Sequence, residues 1–159
     1  MPAMSRPSVH NSPNTARSLD PVLDFMRLLW SIQNGLQRRS KKMEGDLGIT
    51  GPQRLVLRVV GRFPGISASE LAAVVHLHPS TITGVLQRLV AKGWLERRRD
   101  PTDTRRVQLL LKPSGVVFTR TARGTIERDV TDALEHVGKA NVRAAQKVLG
   151  EIARRLGDM

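Results

Sequence analysis

Apolar positions change their spacing several times along the chain, and each change marks an element. From Asp20 onward, Phe25, Leu29, Ile32 and Leu36 recur at four, three and four residues, the period of one helix face, and predict a first helix over about residues 20–44. Thr50-Gly51-Pro52-Gln53 has the form of a capping box, in which hydroxyl and amide side chains satisfy exposed helix-start amides and proline is tolerated in the first turn. A second helix follows it to about Phe63, where Pro64-Gly65 stops it. Ser67-Ala68-Ser69-Glu70 is a second box, opening a helix over Ala68–Val75. After a break at His76 to Pro79, the spacing of Ile82, Val85, Leu86, Leu89 and Val90 describes another helical face, ending at Lys92-Gly93, where glycine takes the left-handed C-terminal conformation. Trp94 to Arg98 and Arg106 to Leu111 are short β-compatible runs joined by the turn-rich segment Arg99 to Arg105, which predicts a hairpin with a basic tip. Beyond Pro113, Phe118, Ala122, Ile126, Val130, Leu134 and Val137 recur at three or four residues and predict one helix of about 25 residues. Val142, Ala145, Leu149, Ile152 and Leu156 form the apolar seam of a last helix.

The fold class is therefore mainly α with a small β-hairpin: a winged helix-turn-helix whose N- and C-terminal helices form a dimerisation domain. Residues 1–18, rich in proline and serine, predict a disordered tail. Residues 19–46 form the N-terminal dimerisation helix, 47–112 the winged helix-turn-helix, and 113–159 the C-terminal dimerisation helices. Long apolar stripes outside the compact middle module predict a homodimer.

Composition narrows the function. A length of 159 residues fits about one domain. The 26 Lys plus Arg against 14 Asp plus Glu leave a charge of +12, which points to a polyanionic partner. The chain has no cysteine, which excludes disulfides, thiol chemistry and Cys-ligated zinc and fits a cytoplasmic protein, nucleoid-associated when bound to DNA. No apolar run approaches the length of a membrane span. Phosphate-binding glycine loops and a nucleophile elbow are missing, so the chain is not expected to be an enzyme or to need a cofactor.

A winged helix-turn-helix places its second helix in the DNA major groove. Ile82, Val85, Leu86 and Leu89 anchor that helix, which turns Ser80, Thr81, Thr83, Gly84, Gln87 and Arg88 outward. Small hydroxyl residues at a helix start reach phosphates or base edges without obstruction, and Gln87 and Arg88 suit adenine and guanine. Six basic residues against three acidic ones lie between Lys92 and Arg106, and arginine at the tip suits a narrow, electronegative minor groove. The plainer reading is a solvated hairpin surface.

The motifs Leu47-Gly48-Ile49-Thr50-Gly51-Pro52-Gln53, Pro64 to Ala72, His78 to Thr83, Leu89 to Gly93, Arg97 and Asp100-Pro101-Thr102-Asp103-Thr104-Arg105-Arg106 resemble, in order and spacing, the MarR family of transcriptional regulators. The resemblance covers nearly everything after residue 20. It implies a dimeric repressor or activator on a pseudo-palindrome of double-stranded DNA, with half-sites about 10 bp apart. It maps the family's acidic and basic wing pair onto Asp103, orienting the loop, and Arg105, entering the minor groove. Arg98, Arg99 and Arg106 complete the expected wing contacts. It also implies control by a small aromatic or anionic effector between the dimerisation helices and the DNA-binding lobe. Two departures stand out: Gly84, where many members carry a longer side chain, and Lys112, where a threonine cap is usual. Lacking cysteine, the chain cannot sense peroxide as some members do.

Other features have ordinary readings. His76 and His78, with His10 or His136, make a poor metal set without acidic neighbours, and no metal is expected. Trp30 is a candidate for stacking on an effector, against plain interface packing. Arg38-Arg39-Ser40-Lys41-Lys42 complements the dipole at a helix end. The competing functions are an architectural DNA-binding protein of low sequence preference, for which the charge alone would suffice, and a winged helix used for protein contact, in which the wing charges would be dispensable.

Overall fold

Two capping boxes set the helix starts that frame the core. The Thr50 amide donates to Oε1 of Gln53 at 3.3 Å while the Gln53 amide donates to the Thr50 hydroxyl at 3.4 Å. Ser67 and Glu70 repeat the exchange, at 2.8 and 3.3 Å. Such caps contribute ~1 kcal/mol each. The computed structural model describes residues 19–103 and 105–156, and the expected tail and His10 lie outside them. The elements are α1 (Pro21–Leu47), α2 (Gly51–Arg62), α3 (Ala68–Val75), α4 (Pro79–Ala91), β1 (Leu95–Arg99), β2 (Val107–Leu111), α5 (Pro113–Arg120), α6 (Ile126–Val137) and α7 (Lys139–Arg155).

The chain divides into two units, one ending at Gln33 and one beginning at Asn34. In the N-terminal unit, Oδ1 of Asp20 accepts the amides of Val22 and Leu23 at the helix start, and Arg27 pairs with Asp24 one turn on. Val22, Leu28, Trp30 and Ile32 of this unit are exposed.

In the second unit α2 is the central strut, packed against α3, α4, α5 and β2. Its apolar face, Val56, Leu57 and Val60, is buried with Leu71 of α3, Ile82, Val85, Leu86 and Leu89 of α4, and Leu95 and Leu109 of the hairpin. Met43 and Ile49 close the core. The strands pair antiparallel from Leu95↔Leu111 to Arg99↔Val107. The loop after α2 holds β2 in place: the Gly65 amide donates to the Leu109 carbonyl and the Leu109 amide to the Ile66 carbonyl, both at 3.0 Å. α5 docks onto the strand start, where a Cβ on the buried Gly115 would stand 2.0 Å from the Trp94 carbonyl oxygen, so only glycine fits. Lys112 occupies the N-cap of α5 without a side-chain bond.

The single helix expected after Pro113 is two helices, α5 and α6, separated by residues 121–125. Continuation would need the carbonyls of Phe118 and Thr121 to accept the amides four residues on. Both instead accept from the guanidinium of the buried Arg54 on α2. Gly124 then turns to φ +77, and the Thr125 hydroxyl accepts the Arg128 amide to start α6. The apolar period runs through the break, which is why periodicity alone reads it as one helix.

No side chain of α6 or α7 is buried. Val130, Leu134 and Val137 of α6 and Val148 and Leu149 of α7 are exposed. Among the described residues no helix is long and apolar enough to cross a membrane.

Candidate nucleic-acid interface

Helix α4 buries one face and presents the other. With Ile82, Val85, Leu86 and Leu89 in the core, Ser80, Thr81, Thr83, Gln87 and Arg88 are all exposed. Before the helix, His76 takes the left-handed conformation at φ 50 and ends α3. His78 then caps α4: its Nδ1 accepts the Ser80 amide at 3.3 Å and lies 2.7 Å from the Ser80 hydroxyl. Thr83 donates its hydroxyl proton to the Pro79 carbonyl at 2.9 Å, so it meets a partner chiefly as an acceptor. Gly84 leaves the middle of the exposed face bare, and a Cβ there would meet Nη2 of Arg88 at 3.7 Å.

The wing is organised by Asp100, a residue outside the expected set. Its Oδ1 accepts the Thr102 amide at 2.8 Å, the Thr102 hydroxyl at 2.7 Å and the Asp103 amide at 3.3 Å. Its Oδ2 accepts from Nε2 of Gln108 at 2.8 Å. The Thr102 hydroxyl and amide, and then Gln108, pull its carboxyl down to about 2 from 3.8. Asp103 accepts the Arg105 amide at 3.0 Å through Oδ1, so two carboxylates fix the turn. The signal is present in Asp100-Pro101-Thr102, a turn-forming run in which Asp accepts from the backbone two residues on.

The basic residues of this region divide by their partners. Lys92 donates to the Gly48 carbonyl at 2.8 Å and lies over the Trp94 ring. Arg98 pairs with Glu96 at 2.5 Å, and Arg106 with Glu70 of α3 at 2.9 Å. Arg97, Arg99 and Arg105 are exposed, and among the described residues no ion pair engages them. Of the expected wing residues, Arg99 and Arg105 are therefore open to a partner, Asp103 is internal to the turn, and Arg98 and Arg106 are committed within the chain.

A groove of about 490 Å³ lies against α2, walled by Leu36, Pro52, Leu55, Leu77 and Ile126, with Lys41 and Glu44 among its polar lining. Glu127 also lines it and accepts from Nε of Arg54 at 2.7 Å. Trp30 belongs to the N-terminal unit and is 57% exposed. Arg54 escapes a reading of the sequence alone, although a cation three residues before the core position Leu57, and so on the same helix face, signals a buried charge with partners to find. Among the described residues no three His, Asp or Glu side chains gather as metal ligands.

A helix with one polar exposed face, set behind a tight turn and beside a cation-bearing hairpin, defines a winged helix-turn-helix of the nucleic-acid-binding class. The sequence profile of the MarR family matches residues 47–106, the span from the end of α1 through the wing. The HTH-type transcriptional regulator TtmR of Methylorubrum extorquens is 32% identical over 99 residues, 62% of this chain and 50% of that protein. The multiple antibiotic resistance protein MarR of Salmonella typhimurium is 29% identical over 105 residues, 66% of this chain and 73% of that protein. The chain thus spans half the length of the first relative. Among solved structures, a mutant MarR from E. coli complexed with operator DNA matches with a TM-score of 0.66 and 26% identity, over 82% of this chain and 94% of that one. The S. aureus MepR–DNA complex shares the fold, with a TM-score of 0.70 at 19% identity over 83% and 97% of the two chains. Residues 47–106 thus match the MarR family, and the chain is similar over that span to DNA-binding transcriptional regulators of that family.

Proposed function

We propose that the protein is a sequence-specific repressor that binds a pseudo-palindromic operator as a homodimer and is released by a small effector. The observation that carries this reading is the exposed polar face of α4, where Ser80, Thr81, Thr83, Gln87 and Arg88 stand together over a buried apolar anchor. In that role Gln87 and Arg88 read base edges, the hydroxyl residues meet phosphates, and Arg99 and Arg105 supply the wing's charge in the minor groove. The exposed apolar faces of α6 and α7, and of Val22, Trp30 and Ile32 in the N-terminal unit, are what a second copy would cover. Such a regulator works in the cytoplasm, on the nucleoid when bound.

The groove beside α2 suits the effector. Its apolar walls take an aromatic ring, and Lys41, set against Glu44 and Glu127, is the cation of the lining that would meet an anionic group. Glu127 lines the groove and also holds Arg54 of α2, so a ligand that displaces Glu127 disturbs the helix against which α4 packs.

The test is a footprint on DNA flanking the protein's own gene, at physiological salt with excess nonspecific competitor. A discrete, two-fold symmetric protected site is expected, weakened by Arg105→Ala by ~1 to 3 kcal/mol and released by an aromatic carboxylate such as benzoate. Diffuse protection that vanishes with added salt would instead indicate an architectural protein acting by counterion release. Unchanged binding by Arg105→Ala would remove the wing from the interface.

A further inference from the structure

Arg106 stands next to Arg105 at the base of the wing tip, yet its surroundings differ. Its backbone is fixed on both sides: its amide donates to the Asp103 carbonyl and its carbonyl accepts the Asp100 amide, both at 2.9 Å. Its Nη2 reaches 36 residues back along the chain, lying 2.9 Å from each carboxylate oxygen of Glu70. That carboxylate is itself held, because its Oε2 accepts the amide and the hydroxyl of Ser67, each at 2.8 Å. The Ser67 bonds, and behind them Arg106, keep the Glu70 carboxyl below its usual range, so it stays anionic. Two backbone bonds from the loop after α2 fix β2 at Leu109. The Glu70–Arg106 contact carries that attachment beyond the start of the strand, to the turn that bears Arg105.

A carboxylate within reach of a DNA-binding wing repels phosphate unless something neutralises it. Here the neutralising group is the arginine that the charge pattern alone would send to DNA. We propose that Arg106 is a positioning residue: locked to Glu70, it sets the wing against α3 and so fixes where Arg105 enters the groove, and it makes no phosphate contact of its own. The proposal rests on the reading that the wing engages DNA.

The two roles predict opposite signs. If Arg106 were a phosphate contact, Glu70→Gln would free it and tighten binding. As a strut, Arg106 loses its anchor in Glu70→Gln, and binding weakens by about two- to fivefold per wing, the size of an exposed ion pair, and by the square of that in a symmetric dimer. Glutamine preserves the capping box, so α3 keeps its start, and an unchanged thermal midpoint checks this. The charge-neutral pair Glu70→Gln with Arg106→Gln should weaken binding while leaving the slope of log affinity against log salt unchanged. A phosphate contact would lower that slope by about one per wing. Tighter or unchanged binding by Glu70→Gln, or a reduced salt slope in the double variant, would overturn the proposal. Arg105→Ala, measured alongside, separates this failure from that of the wing reading: with no loss from Arg105→Ala the wing itself is not at the DNA.

Discussion

The winged-helix segment and the C-terminal helix pair both carry apolar stripes but do opposite things with them. Between Ile49 and Leu109 the chain buries twelve large apolar side chains in a continuous core, whereas α6 and α7 bury none. The first region is folded by its own contacts. The second is joined to it by a polar clamp: Arg54 and Arg39 reach Glu127 and Asp129 in the first turn of α6. Helices of this length are marginal in water without a packed face, so the stripe on α6 and α7 is a surface suited to a partner chain. The difference teaches that one stretch of sequence can specify a self-contained core and another an apolar surface left without a place in it.

The largest effect should come from spoiling the unpartnered stripe. Val130→Asp with Leu134→Asp removes roughly 1.5 to 3 kcal/mol of burial per side chain, counted twice across a symmetric interface. Sedimentation should then show half the mass at micromolar concentration. A variant that still sediments as a dimer would mean that α6 is not in the interface.

Next comes the clamp. Arg54→Ala strands the Glu127 carboxylate and the carbonyls of Phe118 and Thr121, and should cost about 2 to 4 kcal/mol in chemical denaturation, less than a fully buried pair because Glu127 is partly solvated. A loss under about 1 kcal/mol would mean that the two regions are joined by something other than these bonds.

In the opposite direction, Lys112→Thr places a hydroxyl cap where a cation faces the positive end of α5, and should stabilise the fold by roughly 0.5 to 2 kcal/mol. An unchanged melting midpoint would show the cap to be immaterial.

The smallest effect is local to the wing. The Asp100 carboxyl is depressed from 3.8 to about 2, so its contribution to wing order is complete above about pH 4 and is lost as pH falls through about 2. Amide signals of Thr102 and Asp103 should titrate near pH 2 and lose that titration in Asp100→Asn. A midpoint near 3.8, the unperturbed value, would mean that the Asx turn does not persist in solution.

Much of this architecture is legible in the sequence because it rests on short-range rules. Both capping boxes, the glycine stop after α4 and the outward set Ser80, Thr81, Thr83, Gln87 and Arg88 follow from neighbours within about four residues. What escapes is long-range. The break between α5 and α6 depends on Arg54, more than sixty residues away along the chain, and periodicity cannot register a competitor for carbonyls. In the same way, the wing arginines look equivalent in sequence. Glu96 and Glu70 distinguish Arg98 and Arg106 from Arg99 and Arg105 only once the strands and α3 are assembled.

The central claim is that α4 and the wing read a defined sequence as a symmetric pair. Selecting binders to the full-length protein from a random DNA pool, at physiological salt, tests it most directly. The account predicts an enriched two-fold symmetric motif with half-sites about 10 bp apart, its base preferences relaxed at one position by Gln87→Ala and at another by Arg88→Ala. A pool that shows no enriched motif, or a motif indifferent to both substitutions, would contradict it.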